Sequence, residues 1–384
     1  MLTHSTDRFG FYTVGNLKFY SKFDAAEVAA RSGQSLRWNF NDDIFNCYDW
    51  TIEPTQSLRE IYKQRALQLR ENYDYLVLWY SGGSDSDNIL RSFVDNNIRL
   101  DEVASYSNLE ATGDRNDFLN GEIYNVACPI IQQLKETSQP WIKHTIIDVS
   151  KIMMDYFKNQ TNKFDWVYNI NTYTSPNGAT RDTLIDYQPE WLRLIDQGKR
   201  IGFIWGLEKP KVVGIKGKFS TVFMDIVDCA ETAQLQINPR PGLFNDLFYW
   251  TPDYPELIIK QVHVIKRFLK TVPIDSPLLT DESSARNSCI TIQGKIKYLT
   301  TNGASKLIYP GWQPVPFQVK PPSIIFSPRD NWFRKLPDSD IAKRNWKQGI
   351  EHRWLATPEQ FKNNPKVMAH GFKQIYSRAY DIGT

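Results

Sequence analysis

Apolar positions along this chain switch between two periods, and the switches mark out elements. Tyr75 to Tyr80 (YLVLWY) form an unbroken apolar run, the pattern of a strand covered on both faces. Ile89, Leu90, Phe93 and Val94 then recur at helical spacing, and Leu100 to Tyr106 predicts the next strand. From Asn120 to Lys135, Ile123, Val126, Ala127, Ile130, Ile131 and Leu134 fall on one helical face. WIKHTIIDV (141–149) reads as a strand, followed by a helix carrying Ile152, Met153, Tyr156 and Phe157 with Ser150 as its candidate cap. Pro189, Trp191, Leu192 and Ile195 predict a helix ending near Gly198, and RIGFIWGL (200–207) is a further strand. Upstream, Ser57 and Glu60 have capping-box spacing at the head of a helix carrying Leu58, Ile61, Tyr62 and Leu69. Strands alternating with helices imply right-handed crossovers and an α/β parallel sheet with helices on both faces.

The ends of the chain follow other patterns. Residues 1–56 are aromatic and turn-rich, which predicts short strands and one short helix near Asp24 to Ser32, an N-terminal β-rich appendage to a core at 57–230. Residues 231–384 begin rich in proline and aromatics, carry a helix to about Lys270 and then mix turns, Trp and basic residues. We expect a C-terminal α+β region serving substrate or partner, with no fold assigned. Its Arg and Lys interleaved with Trp and Phe could serve nucleic acid, but a packed helical appendage with a charged exterior is the more ordinary account.

Composition adds limits. With 384 residues, 41% hydrophobic and 23% charged, the chain has the make-up of a globular protein of two or three domains. The 12 Trp, 19 Tyr and 21 Phe are better explained by core and interface filling than by base stacking. A net charge of +3 is too small to argue for nucleic acid by itself. Cys47, Cys128, Cys229 and Cys289 show no metal or disulfide spacing. With no signal-peptide layout and no membrane-length apolar stretch, a cytoplasmic protein without membrane contact is expected. A homo-oligomer is allowed.

The corner SGGSDS (81–86) between the first buried strand and its helix carries the candidate chemistry. Gly82 and Gly83 let the backbone turn with its N–H groups inward, an anion nest at the mouth of the following helix, where the dipole adds positive charge. Ser81, Ser84 and Ser86 offer hydroxyls to phosphate oxygens, and Asp85 fits as holder of a divalent cation. Taken alone, the six residues are also an ordinary capped turn. The flanking buried strand and amphipathic helix favour a nucleotide. Neither a GK[ST] P-loop nor a G-x-G-x-x-G dinucleotide fingerprint is present.

LVLWYSGGSDS resembles the SGGxDS PP-loop of the N-type ATP pyrophosphatase superfamily, which includes asparagine, NAD and GMP synthetases, lysidine synthetase and tRNA-thiolating enzymes. The likeness covers approximately residues 70–230, and its specific motif is Ser81 to Ser86. It implies a Rossmann-like five-stranded sheet that binds ATP with Mg²⁺, splits it to AMP and pyrophosphate, and activates a carboxylate, amide or nucleobase carbonyl oxygen of a small-molecule or nucleic-acid acceptor. On that likeness, Ser81, Gly82, Gly83, Ser84 and Ser86 hold the pyrophosphate, Asp85 favours the metal, and the adenine lies near Tyr106, Ser107 and Asn108. Independently, GLEKPK places Gly206, Lys209 and Lys211 at the end of the strand from Ile201, on the ligand side, where an ammonium would stabilise departing pyrophosphate. Lys209 is therefore a catalytic candidate beside Asp85, while Lys216 and Lys218 read as surface residues of a hairpin.

Departures from the family narrow the expectation. Its class II amidotransferases expose an N-terminal cysteine, whereas this chain begins Met1-Leu2 and is expected to lack that glutaminase. Nothing pairs Cys128 with Cys229 as thiolating members require, so ligation or amidation is preferred to sulfur transfer or tRNA modification. A non-catalytic nucleotide-binding protein stays open. His144 and His263 read as packed or surface histidines. Asp114, Asp117 and Glu122 read as metal or substrate contacts, or as acids favoured by a helix start. The long polar stretch 169–187 reads as a lid or recognition loop, with Arg181 its anion contact.

Overall fold

In the computed structural model, strand after strand follows the apolar pattern. The structure describes residues 6–159, 165–168, 176–206, 209–215, 217–225, 240–271, 289–292, 296–299, 301–312, 330–362, 373 and 375–384. The aromatic N-terminal stretch forms a three-stranded antiparallel sheet, order β2-β1-β3, from β1 (Phe11–Val14), β2 (Leu17–Phe19) and β3 (Leu36–Asn39). The helix Lys22–Ser32 lies against it and ends at Gly33 in the left-handed region. The Leu58–Asn72 helix opens on the full Ser57/Glu60 capping box.

Four strands follow: β4 (Tyr75–Trp79), β5 (Glu102–Ser107), β6 (Lys143–Asp148) and β7 (Ile201–Trp205). After the hairpin of β8 (Lys211–Ile215) and β9 (Lys218–Val222) comes β10 (Leu243–Leu247), and β4 to β7 with β10 make one parallel sheet, order β10-β7-β4-β5-β6. The chain thus steps outward from β4 through β5 to β6, then returns to the other side of β4. With right-handed crossovers, the outward leg places the Ser84–Val94 helix on one face and the return leg places Val149–Lys158 and Pro189–Asp196 on the other. The β8–β9 hairpin joins a third sheet with β11 (Cys289–Ile292), β12 (Ile296–Leu299) and β13 (Tyr380–Gly383), order β11-β12-β8-β9-β13.

Three local features differ from the sequence pattern. The helix from residue 118 contains a π-helical turn, Ile123–Ala127, before continuing as Cys128–Thr137. Pro129 explains the break, since it has no N–H to donate and crowds the carbonyl four residues back. The cap of Val149–Lys158 is Asp148, whose carboxylate accepts the Ser150 N–H at 3.0 Å, so Ser150 lies inside the helix. The parallel sheet also reaches past residue 230, because β10 completes it.

Rings fill the seams between these parts. Phe40 meets Phe223 at 4.8 Å and Trp250 at 5.6 Å, and Trp50 stacks on Tyr380 at 4.8 Å, so the N-terminal segment shares one core with the parallel and third sheets. Among the described residues no helix is long and apolar enough to cross a membrane.

A buried charge ties the first strands to the last strand of the parallel sheet. Asp246 of β10 is fully buried and accepts from Arg8, from Arg65 at 3.1 Å and from the Tyr73 hydroxyl. Arg8 also reaches Asp253 at 2.7 Å. Burial alone would raise the Asp246 pKa, but the Arg8 and Arg65 guanidiniums outweigh it and hold the carboxyl below its ordinary range. Removing the carboxylate leaves two guanidiniums in the core short of an anion. Asp246→Ala is therefore expected to cost about 3–5 kcal/mol in urea unfolding, against less than about 1 kcal/mol for Asp186→Ala at the exposed Arg240 pair. The stabilisation is present above about pH 4 and is lost as pH falls through the depressed folded value. The fall in urea midpoint below pH 4 should shrink in the variant.

Candidate functional site

The corner between β4 and the Ser84–Val94 helix is shaped by its two glycines. Tyr80 continues the ladder by donating its N–H to Ala104 at 2.8 Å, and the chain then turns. Gly82 has φ +76°, and a Cβ there would stand 3.0 Å from Val126 Cγ1 and 3.1 Å from the Ala127 nitrogen, against the π turn. Gly83 caps the helix without a side chain, and its carbonyl receives the Asp87 N–H at 2.9 Å. The amides of Ser84, Asp85 and Ser86 lie in the first turn, where a helix has no internal acceptors to give them.

The serines do different work. Ser81 Oγ accepts the Gly83 N–H at 3.3 Å, while the Ser81 N–H donates to Ser86 Oγ at 3.3 Å and that hydroxyl donates to the Gly83 carbonyl at 3.1 Å. Ser86 thus spends its hydroxyl proton inside the loop, while Ser81 Oγ braces the loop as an acceptor and keeps its own O–H to donate. Ser84 Oγ lies 3.5 Å from Ser305 Oγ.

The end of β7 closes the other side. A Cβ on Gly206 would be 3.3 Å from the Asp85 carbonyl carbon and from the Ser86 nitrogen, so the two backbones meet where the order of strands switches sides at β4. Such a switch opens a crevice at the carboxyl ends of the strands. Lys209 enters it, its Nζ 2.6 Å from Asp85 Oδ1, with the lysine side chain 4% exposed and the carboxylate 35%. Asp85 receives two further donors that the motif does not signal: Tyr309 Oη donates to its Oδ1 at 2.7 Å, and Tyr249 Oη donates to its backbone carbonyl at 2.8 Å. Asn88 Nδ2 donates to that same Tyr249 hydroxyl at 3.0 Å. Tyr309 is 224 positions from Asp85, and only folding joins them.

The structure therefore brings together Ser81 to Ser86, Gly206 and Lys209. Tyr106 and Ser107 end the neighbouring strand but face elsewhere. The Tyr106 ring stacks on Trp79 at 4.6 Å, which stacks on Trp205 at 5.0 Å, a row across the sheet. Ser107 is buried, its hydroxyl donating to Asn120 Oδ1 at 3.1 Å and accepting from the Leu109 N–H at 3.1 Å. Lys211 pairs into the third sheet opposite Val222, and Lys218 is exposed at the hairpin. Asp117 receives Asn108 Nδ2 at 3.3 Å, Asp114 Oδ1 caps the Asn116 N–H at 2.8 Å, and Glu122 is buried. Lys216 and Cys229 fall outside the described residues, as does the side chain of Arg181.

His263 is packed, its Nε2 2.9 Å from the Trp50 carbonyl. His144 lies 3.0 Å from Ser105 Oγ, and burial pushes its pKa down to about 4, so it is neutral near pH 7. Burial also raises the Cys128 thiol, the opposite of an activated thiolate. Among the described residues no group of three or more His, Cys, Asp or Glu could hold a metal. Asp85, half-open beside free amides, fits a hard cation whose other ligands are phosphate oxygens and water.

No family model and no curated protein sequence matches the chain.

Gly82→Ala tests the turn. A side chain at φ +76°, pressed on the π turn, is expected to cost about 1–2 kcal/mol in urea unfolding. Gly217→Ala, with φ +79° but open space around its Cβ, should cost only the left-handed part of that penalty.

Proposed function

We propose that the protein binds ATP with Mg²⁺ at the corner between β4 and β7 and splits it to AMP and pyrophosphate, activating a carboxylate, amide or nucleobase carbonyl oxygen of an acceptor. The observation that carries this reading is the Lys209 ammonium, held 2.6 Å from Asp85 at the mouth of a helix whose first amides meet no side-chain cap among the described residues. Helix mouths of this kind suit phosphate, and a lysine reaching in from the adjoining strand end adds a mobile cation. The strand order, with β5 and β6 on one side of β4 and β7 and β10 on the other, supports a Rossmann-like, PP-loop type of core.

In the reaction the acceptor oxygen attacks the α-phosphorus, and the bond from that phosphorus to its bridging oxygen breaks. Pyrophosphate leaves with the electron pair. The Ser84 to Ser86 amides hold the β and γ phosphates in line, and Lys209 turns from Asp85 to the leaving oxygens as their charge grows. Mg²⁺ would supply charge neutralisation between Asp85 and the phosphates. Nothing in the sequence pairs Cys128 with Cys229 as sulfur transfer would need, which favours attack by an amine or ammonia.

Calorimetry with Mg²⁺ and ATP, followed by product analysis, tests this. Binding heat and formation of AMP with pyrophosphate are expected once the acceptor is supplied; no heat with ATP, or ADP as product, would sink the proposal. Lys209→Ala should weaken ATP binding by at least about tenfold, roughly 1.4 kcal/mol, because it removes a cation and leaves the Asp85 charge facing the phosphates.

A further inference from the structure

Among the described residues, Asp85 carries two donors on one oxygen and none on the other. Lys209 Nζ and Tyr309 Oη both meet Oδ1, at 2.6 and 2.7 Å, and among the described residues Oδ2 has no partner. A carboxylate anchored through one oxygen presents the other in a fixed direction, and here the side chain is 35% exposed.

The two donors are not equivalent. Lys209 has a competing demand, since phosphate oxygens carry more charge than a single carboxylate and would draw its ammonium away. Tyr309 has no such freedom. It is 3% exposed, its ring stacks on Tyr249 at 5.3 Å with 29° between planes, and Lys209 Nζ lies 5.8 Å from its centroid. The peptide before it is pinned as well: Tyr62 Oη donates to the Ile308 carbonyl at 2.7 Å, and Gln261 Nε2 donates to Tyr62 Oη at 2.8 Å.

We infer that Tyr309 is a positioning residue for the metal: it keeps Asp85 oriented, with Oδ2 toward the open side, when Lys209 moves to the nucleotide. The inference rests on the ATP reading above and adds to it a part of the chain, residues 301–312, that lies outside the strand-and-helix run from β4 to β7. Outer partners that orient a metal-binding carboxylate commonly govern its affinity for the ion.

The test is Tyr309→Phe, which removes one hydroxyl and keeps the ring stack and the contact with Lys209. Calorimetry of ATP with and without Mg²⁺, together with electron paramagnetic resonance of Mn²⁺ bound with ATP, reads the metal directly. The expected result is about a tenfold rise in the Kd of the Mn²⁺–ATP complex, with metal-free ATP affinity unchanged. Tyr62→Phe, one bond further out, should shift it in the same direction by less, and serves as the deciding variant if Tyr309→Phe does not fold. A folded variant with wild-type metal dependence overturns the role of Tyr309 alone. A wild-type protein whose ATP binding ignores metal overturns the ATP reading with it.

Discussion

A carboxylate in the first turn of a helix is the contact on which the candidate site turns. Asp85 is well placed for the helix it starts, since negative charge there offsets the positive end of the dipole. It is badly placed for an anion-binding mouth, since it repels what the free amides attract. Lys209 resolves the conflict by bringing a buried ammonium from the end of β7 to 2.6 Å. A lysine this buried needs an anion beside it, and an aspartate at a phosphate site needs a cation. The pair is thus mutually required, and on the proposed reading a triphosphate with a metal would replace each partner's counter-charge without leaving a bare charge.

That exchange depends on two elements being closer than side chains would allow. The Gly206 backbone stands where a Cβ would press on the Asp85 carbonyl carbon and the Ser86 nitrogen, and Gly82 stands equally tight against Val126 and Ala127. Two strand ends and one π turn converge on six residues, so the corner is held from both sides before any ligand is present. The buried Asp246 performs the matching task at the far strand of the sheet. Arg8 and Arg65 reach it from before β4, which locks the N-terminal segment to a strand that follows β7 and the hairpin along the chain.

The corner and its lysine were legible because each depends on local pattern. A buried strand followed by a glycine pair and an amphipathic helix marks a tight strand-to-helix corner, and the end of an apolar run locates the residues after it, which is how Gly206 and Lys209 could be placed beside Ser81 to Ser86. The limits are equally physical. Asp148 displaced Ser150 as cap because a carboxylate at a strand end can serve the Ser150 amide and, at 2.9 Å, the Glu110 amide of the neighbouring connection at once. The π turn was hidden because Ile123, Val126, Ala127, Ile130, Ile131 and Leu134 keep ordinary helical spacing across it, so the apolar pattern carries no mark of the wider turn. β10 could not be assigned to the parallel sheet, since FNDL carries the buried Asn245 and Asp246 in place of an apolar run. Those polar residues are satisfied by Trp205 and by the two arginines, partners that no local window contains.

Tyr249 and Tyr309 were illegible for a related reason, and they change how the site is bounded. Neither lies near a motif, and both look like two more members of an aromatic-rich chain. In the fold they form a buried column with Tyr62, whose ring meets Tyr249 edge-on at 5.9 Å, between the Leu58–Asn72 helix, the Pro255–Thr271 helix and the loop at Ser84. Each phenol in the column spends its polar atom on a backbone carbonyl or on Asp85, so the same rings that fill the seam also fix the corner. Aromatic content that reads as packing is here packing and alignment together. A corner aligned through its outer helices is no longer a property of residues 81–86 alone, and changes in the packing of the Pro255–Thr271 helix would reach Asp85 through Gln261, Tyr62, Ile308 and Tyr309 without touching the motif.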